Sequence, residues 1–188
     1  MIKNYNELLY DNETIETKRT VLRKFKKSDA EDVLEYGSDE ETLKYLIWGG
    51  VETLDEAKTS ITDYYWSKPG IYAIELKKNN KCIGAVDLRI EPDHEKASFG
   101  YMLNRKYWGN GYMTEVMSAI LNLCFEKLEL NRVEATHFAG NEGSGKVMAN
   151  CGMKCEGVGK KEQKMKGVFR DVVHYGITKE TWDTENHK

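Results

Sequence analysis

The stretch "ASFGYMLNRKYWGNGYMTEVMSAILNLCFEKLELNRVEATHF", Ala97 to Phe138, decides how this chain is read. Ala97 to Leu103 is an apolar run of strand length. Thr114 to Leu128 then sets Val116, Met117, Ile120, Leu121, Cys124 and Leu128 at helical spacing, and Arg132 to Phe138 returns to strand character. Strand, glycine loop, helix and strand in that order make a parallel crossover. The loop "WGNGYMTE" has what an anion needs: glycines that let backbone amides approach closely, and a helix start behind them. Gly109 and Gly111 relieve the crowding, the amides from Gly109 to Thr114 converge on one point, and Thr114 adds a hydroxyl. On spacing alone, an ordinary strand-to-helix turn reads equally well.

Downstream, "FAGNEGSGKVMANCGM" (Phe138 to Met153) holds Gly140, four residues, Gly145 and Lys146, nearly a nucleotide-binding loop. The residue after that lysine has to be Ser or Thr, whose hydroxyl ligates magnesium. Here it is Val147, and too little chain follows for the further parallel strands and the terminal Asp of such a site. Ser144 to Asn150 reads as a short helix stopped near Gly152, with Ser144 a candidate N-cap.

Upstream, "RTVLRKF" (Arg19 to Phe25) reads as a strand. Ser28 with Glu31 and Thr53 with Glu56 are capping boxes opening two helices. "IYAIEL" and "CIGAVDLRI", joined through Asn79 and Asn80, form a hairpin that Ala97 to Leu103 extends into a meander. "GMKCEGVG" with "FRDVVHYGI" makes a closing hairpin. Residues 1–16 read as an irregular extension, 17–180 as one domain, and 181–188 as a polar tail.

The 188 residues carry a net charge of -3, which gives no reason to expect nucleic acid as a partner. The basic run from Lys154 to Arg170 is interleaved with Glu156 and Glu162 and reads as a solvated hairpin. Cys82, Cys124, Cys151 and Cys155 lack paired spacing and read as reduced core thiols. No stretch approaches the about 18 apolar residues of a membrane span, so a cytoplasmic, soluble protein without membrane partners is expected.

Four pieces in order resemble the GNAT superfamily of acetyl-CoA-dependent N-acetyltransferases, in its RimJ/RimL-type ribosomal-protein branch. They are "TKRTVLRKFKKSDAEDV" (Thr17 to Val33), "FGYMLNRKYWGNGYMTEVMSAILNLCFEKLELNRVEA", "NEGSGKVMANCGMKCEG" and "KGVFRDVVHYGI". The resemblance implies an α/β (α+β) single-domain fold, with a mixed, mostly antiparallel sheet of six to seven strands and helices on both faces. It implies acetyl-CoA as cosubstrate, no metal, an amine as acceptor, and a homodimer as a further expectation. Ala97 to Leu103 would carry a bulge whose backbone, at Tyr101, Met102 and Leu103, pairs with the pantetheine arm. Trp108, Gly109, Asn110, Gly111, Tyr112, Met113 and Thr114 would surround the pyrophosphate, although of the superfamily's general loop pattern only Gly111 fits. Asn141 and Ser144 fall on the family's N-x-x-S, where Asn binds the arm and Ser lies near the sulfur. Lys146 falls where a base meets a coenzyme A phosphate, and Gly140 and Gly145 are incidental.

For the chemistry, the resemblance implies direct attack of a neutral amine on a thioester, with Leu103 N–H as oxyanion donor and Ser144 as candidate acid. Ser98 and Gln163 stand where related enzymes place a carboxylate. This leaves Glu162, and behind it Asp87 and His137, as base candidates, and leaves open a coenzyme A-binding regulatory module. A Lys amine, pKa near 10.4, costs roughly 4 to 5 kcal/mol to neutralise at pH 7, whereas an α-amine near 7.7 to 8.0 costs about 1 kcal/mol. A site without a clear base therefore leans toward an α-amine. The acidic residues Asp29, Glu31, Asp32, Glu35, Asp39, Glu40 and Glu41 offer a cationic acceptor an attractive field.

Overall fold

The computed structural model describes residues 3–186. Eight strands form one sheet in the order β1-β2-β3-β4-β5-β6-β8-β7: β1 (Ile15–Glu16), β2 (Thr20–Arg23), β3 (Ile71–Leu76), β4 (Cys82–Glu91), β5 (Lys96–Leu103), β6 (Arg132–Phe138), β7 (Lys154–Met165) and β8 (Val168–Thr178). All neighbours are antiparallel except β5 and β6. The one parallel pair is the one the crossover demands. The sheet has one strand more than the sequence reading allowed, because the two-residue β1 pairs with β2 through Ile15 opposite Leu22.

Period-two alternation along β3 feeds two cores. Tyr72, Ile74 and Leu76 face a large cluster with Met117, Ile120 and Leu121. Ile71 and Ala73 face a smaller one with Val33, Tyr36, Ala57 and Ile61. The larger core is roofed by α5 (Tyr112–Asn122) and its π-helical continuation Leu123–Lys127, which bury the predicted apolar stripe. The smaller one is roofed by α2 (Ala30–Gly37) and α4 (Leu54–Ser60). A short α3 (Glu40–Leu43) joins these two, and α6 (Glu142–Asn150) follows β6.

Both chain ends differ from expectation. Residues 1 and 2 of the expected irregular extension lie outside the described residues; within the rest of it α1 (Tyr5–Asp11), capped by Asn4, drives Tyr5 and Leu9 into the larger core. The polar tail begins inside α7 (Lys179–Asn186), where Trp182 stacks on Phe125 at 5.4 Å and its indole donates to Glu126 Oε1 at 2.9 Å. In each, few apolar side chains reach the core, too few to stand out as a periodic pattern.

The capping boxes also shift. Ser28 lies in a 3-10 turn, and it is the Asp29 carboxylate that accepts the Lys26 N–H (2.7 Å), while Arg23 forks onto the same carboxylate. Thr53 caps α4 as expected, but Glu56 reaches back to the Glu52 N–H rather than to Thr53. Of the cysteines, Cys82, Cys124 and Cys151 are buried, whereas Cys155 is exposed on the edge strand β7. Among the described residues no helix is long and apolar enough to cross a membrane.

Candidate active site

The site is made by a strand that loses its neighbour. β5 pairs with β4 along its whole length in unbroken register, from Lys96 opposite Glu91 to Leu103 opposite Gly84. It pairs with β6 through Lys96, Ala97 and Ser98 and then diverges. The expected bulge is therefore not present against β4; the opening is a splay on the other side. Asn104 N–H donates to Ile83 O at 2.8 Å. By strand alternation, the odd-numbered Phe99, Tyr101 and Leu103 then turn their N–H and C=O toward the departed β6. Gly84 lets β4 follow β5 this closely, since a Cβ there would lie 2.3 Å from Met102 O.

Two lobes, of about 640 and 700 Å³, run through this splay and share Tyr45, Leu46, Tyr101, Met102, Asn141 and Ser144. The first lobe lies toward α4 and is walled by Trp48, Tyr64, Phe99, Thr136, His137 and Gln163, with Asp87 and Arg89 as its charged residues. The second runs along α5 and α6 past Leu103, Trp108, Gly109, Gly111, Tyr112, Met113, Thr114 and Lys146. It thus gathers the residues anticipated for acetyl-CoA, apart from Asn110. The Asn110 side chain folds back onto the Tyr107 and Trp108 carbonyls (3.3 and 2.8 Å).

Gly109 and Gly111 have φ of +71° and +73°, so the loop before α5 adopts a turn that L side chains resist. Trp108 ties the loop to the strand, its indole N–H donating to Leu103 O at 2.7 Å. That bond uses the Leu103 carbonyl and leaves its N–H facing the splay. Met113, long for its place, points into the large core rather than crowding the loop. The turn, the amides at the head of an eleven-residue helix and Lys146 lining the same lobe are of a kind that fits a diphosphate.

At the junction of the lobes, Tyr101 Oη lies 2.8 Å from Ser144 Oγ and donates toward Ser144 O at 3.1 Å. Burial pushes the Tyr101 phenol well up, so it keeps its proton near neutrality. Ser144 is not the helix cap: Asn141 is, accepting the Ser144 N–H at 3.3 Å, and the hydroxyl is thereby free to face the junction. Gly145 is not incidental, because a Cβ there would meet His137 Nε2 at 2.9 Å. It lets α6 settle against β6 and brings Ser144 over Tyr101.

The base candidates separate. Glu162 points out of the cleft and accepts from His174 Nε2 at 2.7 Å; the register shift between Gly159 and Gln163 turns Gln163 inward in its place. Glu162, expected as the base, thus does not line the cleft. His137 lines the first lobe with Nδ1 2.9 Å from Phe138 O. Asp87 also lines it, and its two oxygens differ. Oδ2 accepts from Tyr64 Oη at 2.8 Å, and burial with the neighbouring carboxylate pushes that phenol up to about 12. Oδ1 is buried without a hydrogen bond, with Lys68 Nζ 3.0 Å away but out of line for one. Tyr64 is delivered by the π-helical turn Ile61–Tyr65 that continues α4.

Three residues of the acidic helix region are committed elsewhere. Asp29 is forked by Arg23, while Asp32 and Glu35 hold Lys81 at 2.7 and 2.8 Å. Among the described residues no group of three or more His, Cys, Asp or Glu is gathered for a metal ion.

A splayed parallel pair, with a glycine loop and helix start on one side and an aromatic-walled lobe on the other, is the architecture of an acyl-group transferase. The chain belongs to the acetyltransferase (GNAT) domain family, whose model matches residues 19–154, and it is an N-acetyltransferase. It is 29% identical over 170 residues, 88% of this chain and 96% of the relative, to the uncharacterized N-acetyltransferase YoaA of Bacillus subtilis (strain 168). It is 31% identical over 132 residues, 68% of this chain and 72% of the relative, to YdaF of the same organism, a candidate ribosomal N-acetyltransferase. Among solved structures, a GNAT acetyltransferase from Bacillus anthracis superposes with a TM-score of 0.81 at 29% identity, over 89% of this chain and 99% of that one.

Proposed function

We propose that the protein acetylates an α-amine, a protein N-terminus of the kind handled by the RimJ/RimL branch, by direct attack on acetyl-CoA in the splay. The observation that carries this reading is the Tyr101–Ser144 pair at the point where the two lobes meet. Acetyl-CoA supplies the activated acetyl thioester. The Leu103 N–H, turned toward the splay, faces charge developing on the carbonyl oxygen. The acceptor nitrogen bonds to the carbonyl carbon, the carbon–sulfur bond breaks, and the sulfur takes a proton from the Ser144 hydroxyl; Tyr101 returns one to Ser144 and regains its own from solvent.

The amine's proton leaves on the acceptor side. Asp87 sits opposite Gly100, one residue before Tyr101, a diagonal about 7 to 8 Å from Met102 across the strands. That distance calls for a bridging water, through which the Asp87 carboxylate, paired with Lys68, takes the proton. Such a relayed base is adequate for an α-amine, whose neutralisation near pH 7 costs about 1 kcal/mol, and poor for a Lys amine. The likeness to YdaF supports the same acceptor class. The test is turnover, read as released coenzyme A, across N-terminal peptides, polyamines and small-molecule amines. Turnover confined to side-chain or polyamine nitrogens, or absent with every amine, would overturn the reading, the latter in favour of a coenzyme A-binding module.

A further inference from the structure

Glu115 is a carboxylate in a place where its charge works against the site. It lies in the first turn of α5, behind the phosphate loop, with its side chain 18% exposed. A negative charge there competes with an anion for the helix N-terminus. What offsets it comes from the segment entering β2. Arg19 Nε donates to Glu115 Oε2 at 2.6 Å, Arg19 N–H to Oε1 at 2.7 Å, and Thr17 Oγ1 to Oε1 at 2.6 Å. The same guanidinium then reaches the loop itself. Its Nη1 donates to the Asn110 carbonyl at 2.8 Å, and its carbon stands 4.2 Å from the centre of the Tyr112 ring.

The bond to Asn110 has a geometric consequence. In a trans peptide the carbonyl of one residue and the N–H of the next point in opposite directions. Holding Asn110 O on the Arg19 side therefore turns the Gly111 N–H toward the cleft that Gly111 lines.

We propose that Arg19 is a positioning residue for the phosphate loop, cancelling the charge of Glu115 and fixing the Asn110–Gly111 peptide with its N–H toward the cosubstrate's phosphates. Arg19 itself acts through Glu115 and Asn110. The inference rests on acetyl-CoA lying along the α5 lobe, so the wild-type protein is first titrated with coenzyme A by calorimetry. Absence of binding would sink that reading rather than this one.

Given wild-type binding, Arg19→Gln is expected to weaken coenzyme A about tenfold, and Glu115→Gln added to it to recover most of the loss. Arg19→Lys, which keeps the charge but loses the fork onto Asn110, should fall between and serves if Arg19→Gln does not fold. With S-acetylpantetheine, a donor without phosphates, kcat/KM should match wild type in all three. Unchanged coenzyme A affinity in Arg19→Gln and Arg19→Lys would overturn the proposal. So would no recovery on adding Glu115→Gln, or an equal loss with S-acetylpantetheine.

Discussion

Tyr101 and Ser144 meet through their hydroxyls at the junction of the lobes, and removing either has different consequences. Ser144→Ala takes away the group at the sulfur, so kcat should fall more than coenzyme A affinity. A thiol near pKa 8.5 leaves fairly easily as thiolate at neutral pH, so the expected loss is about tenfold to a hundredfold, at the low end of what proton transfer supplies. Tyr101→Phe keeps the ring packed on Phe99 and should give a smaller loss of the same kind. Steady-state kinetics beside calorimetry separates the two parameters, and equal losses in both would make Ser144 a binding residue. Asp87→Asn should cut kcat/KM at pH 7 and approach wild type above about pH 8, where an α-amine is already neutral. A deficit that persists at high pH would mean that Asp87 holds the acceptor instead of relaying its proton. At this scale the sequence was legible where conformation follows residue type, as in the positive φ of Gly109 and Gly111. It was opaque where a side chain's direction hangs on one strand irregularity: the shift before Gln163 is what carries Glu162 out of the cleft.

Among the elements, α5 and its continuation could be read directly, because Val116, Met117, Ile120, Leu121, Cys124 and Leu128 repeat at helical spacing and bury in one core. α7 could not, since it contributes a single large apolar side chain, Trp182, to that core. Its weight should nevertheless be large: Trp182→Ala empties the space beside Phe125 and should cost about 3 kcal/mol in chemical denaturation, against a fraction of that for an exposed residue of the same helix. The splay of β5 from β6 was anticipated as a bulge, because both devices turn the same backbone groups toward a ligand and sequence alone does not tell them apart. Gly145→Ala should displace His137 or lift α6, lowering stability by about 1 to 3 kcal/mol and disturbing the Ser144–Tyr101 contact as well.

For the molecule as a whole, fold class and crossover were legible because one glycine loop and one helix pattern restrict the topology severely. The meeting of α2 with the end of β5 was not, since it is made by charges far apart in sequence. Glu35 accepts from Lys106, Lys81 and Asn104, which hold its carboxyl down at about 2, against an ordinary value of 4.5. A depressed carboxylate adds stability that is fully present above its unfolded pKa and is lost as pH falls through its folded one. Stability should therefore decline between about pH 4.5 and 2, and Glu35→Gln should flatten that limb in acid denaturation. The central claim is direct acetyl transfer in the splay to an α-amine. It is tested most directly by incubating the protein and acetyl-CoA at pH 7 with a peptide carrying both a free N-terminus and an internal lysine, and locating the acetyl group by fragment mass spectrometry. Acetylation of the N-terminal nitrogen is the result predicted; acetylation of the lysine alone, or of neither, would contradict it.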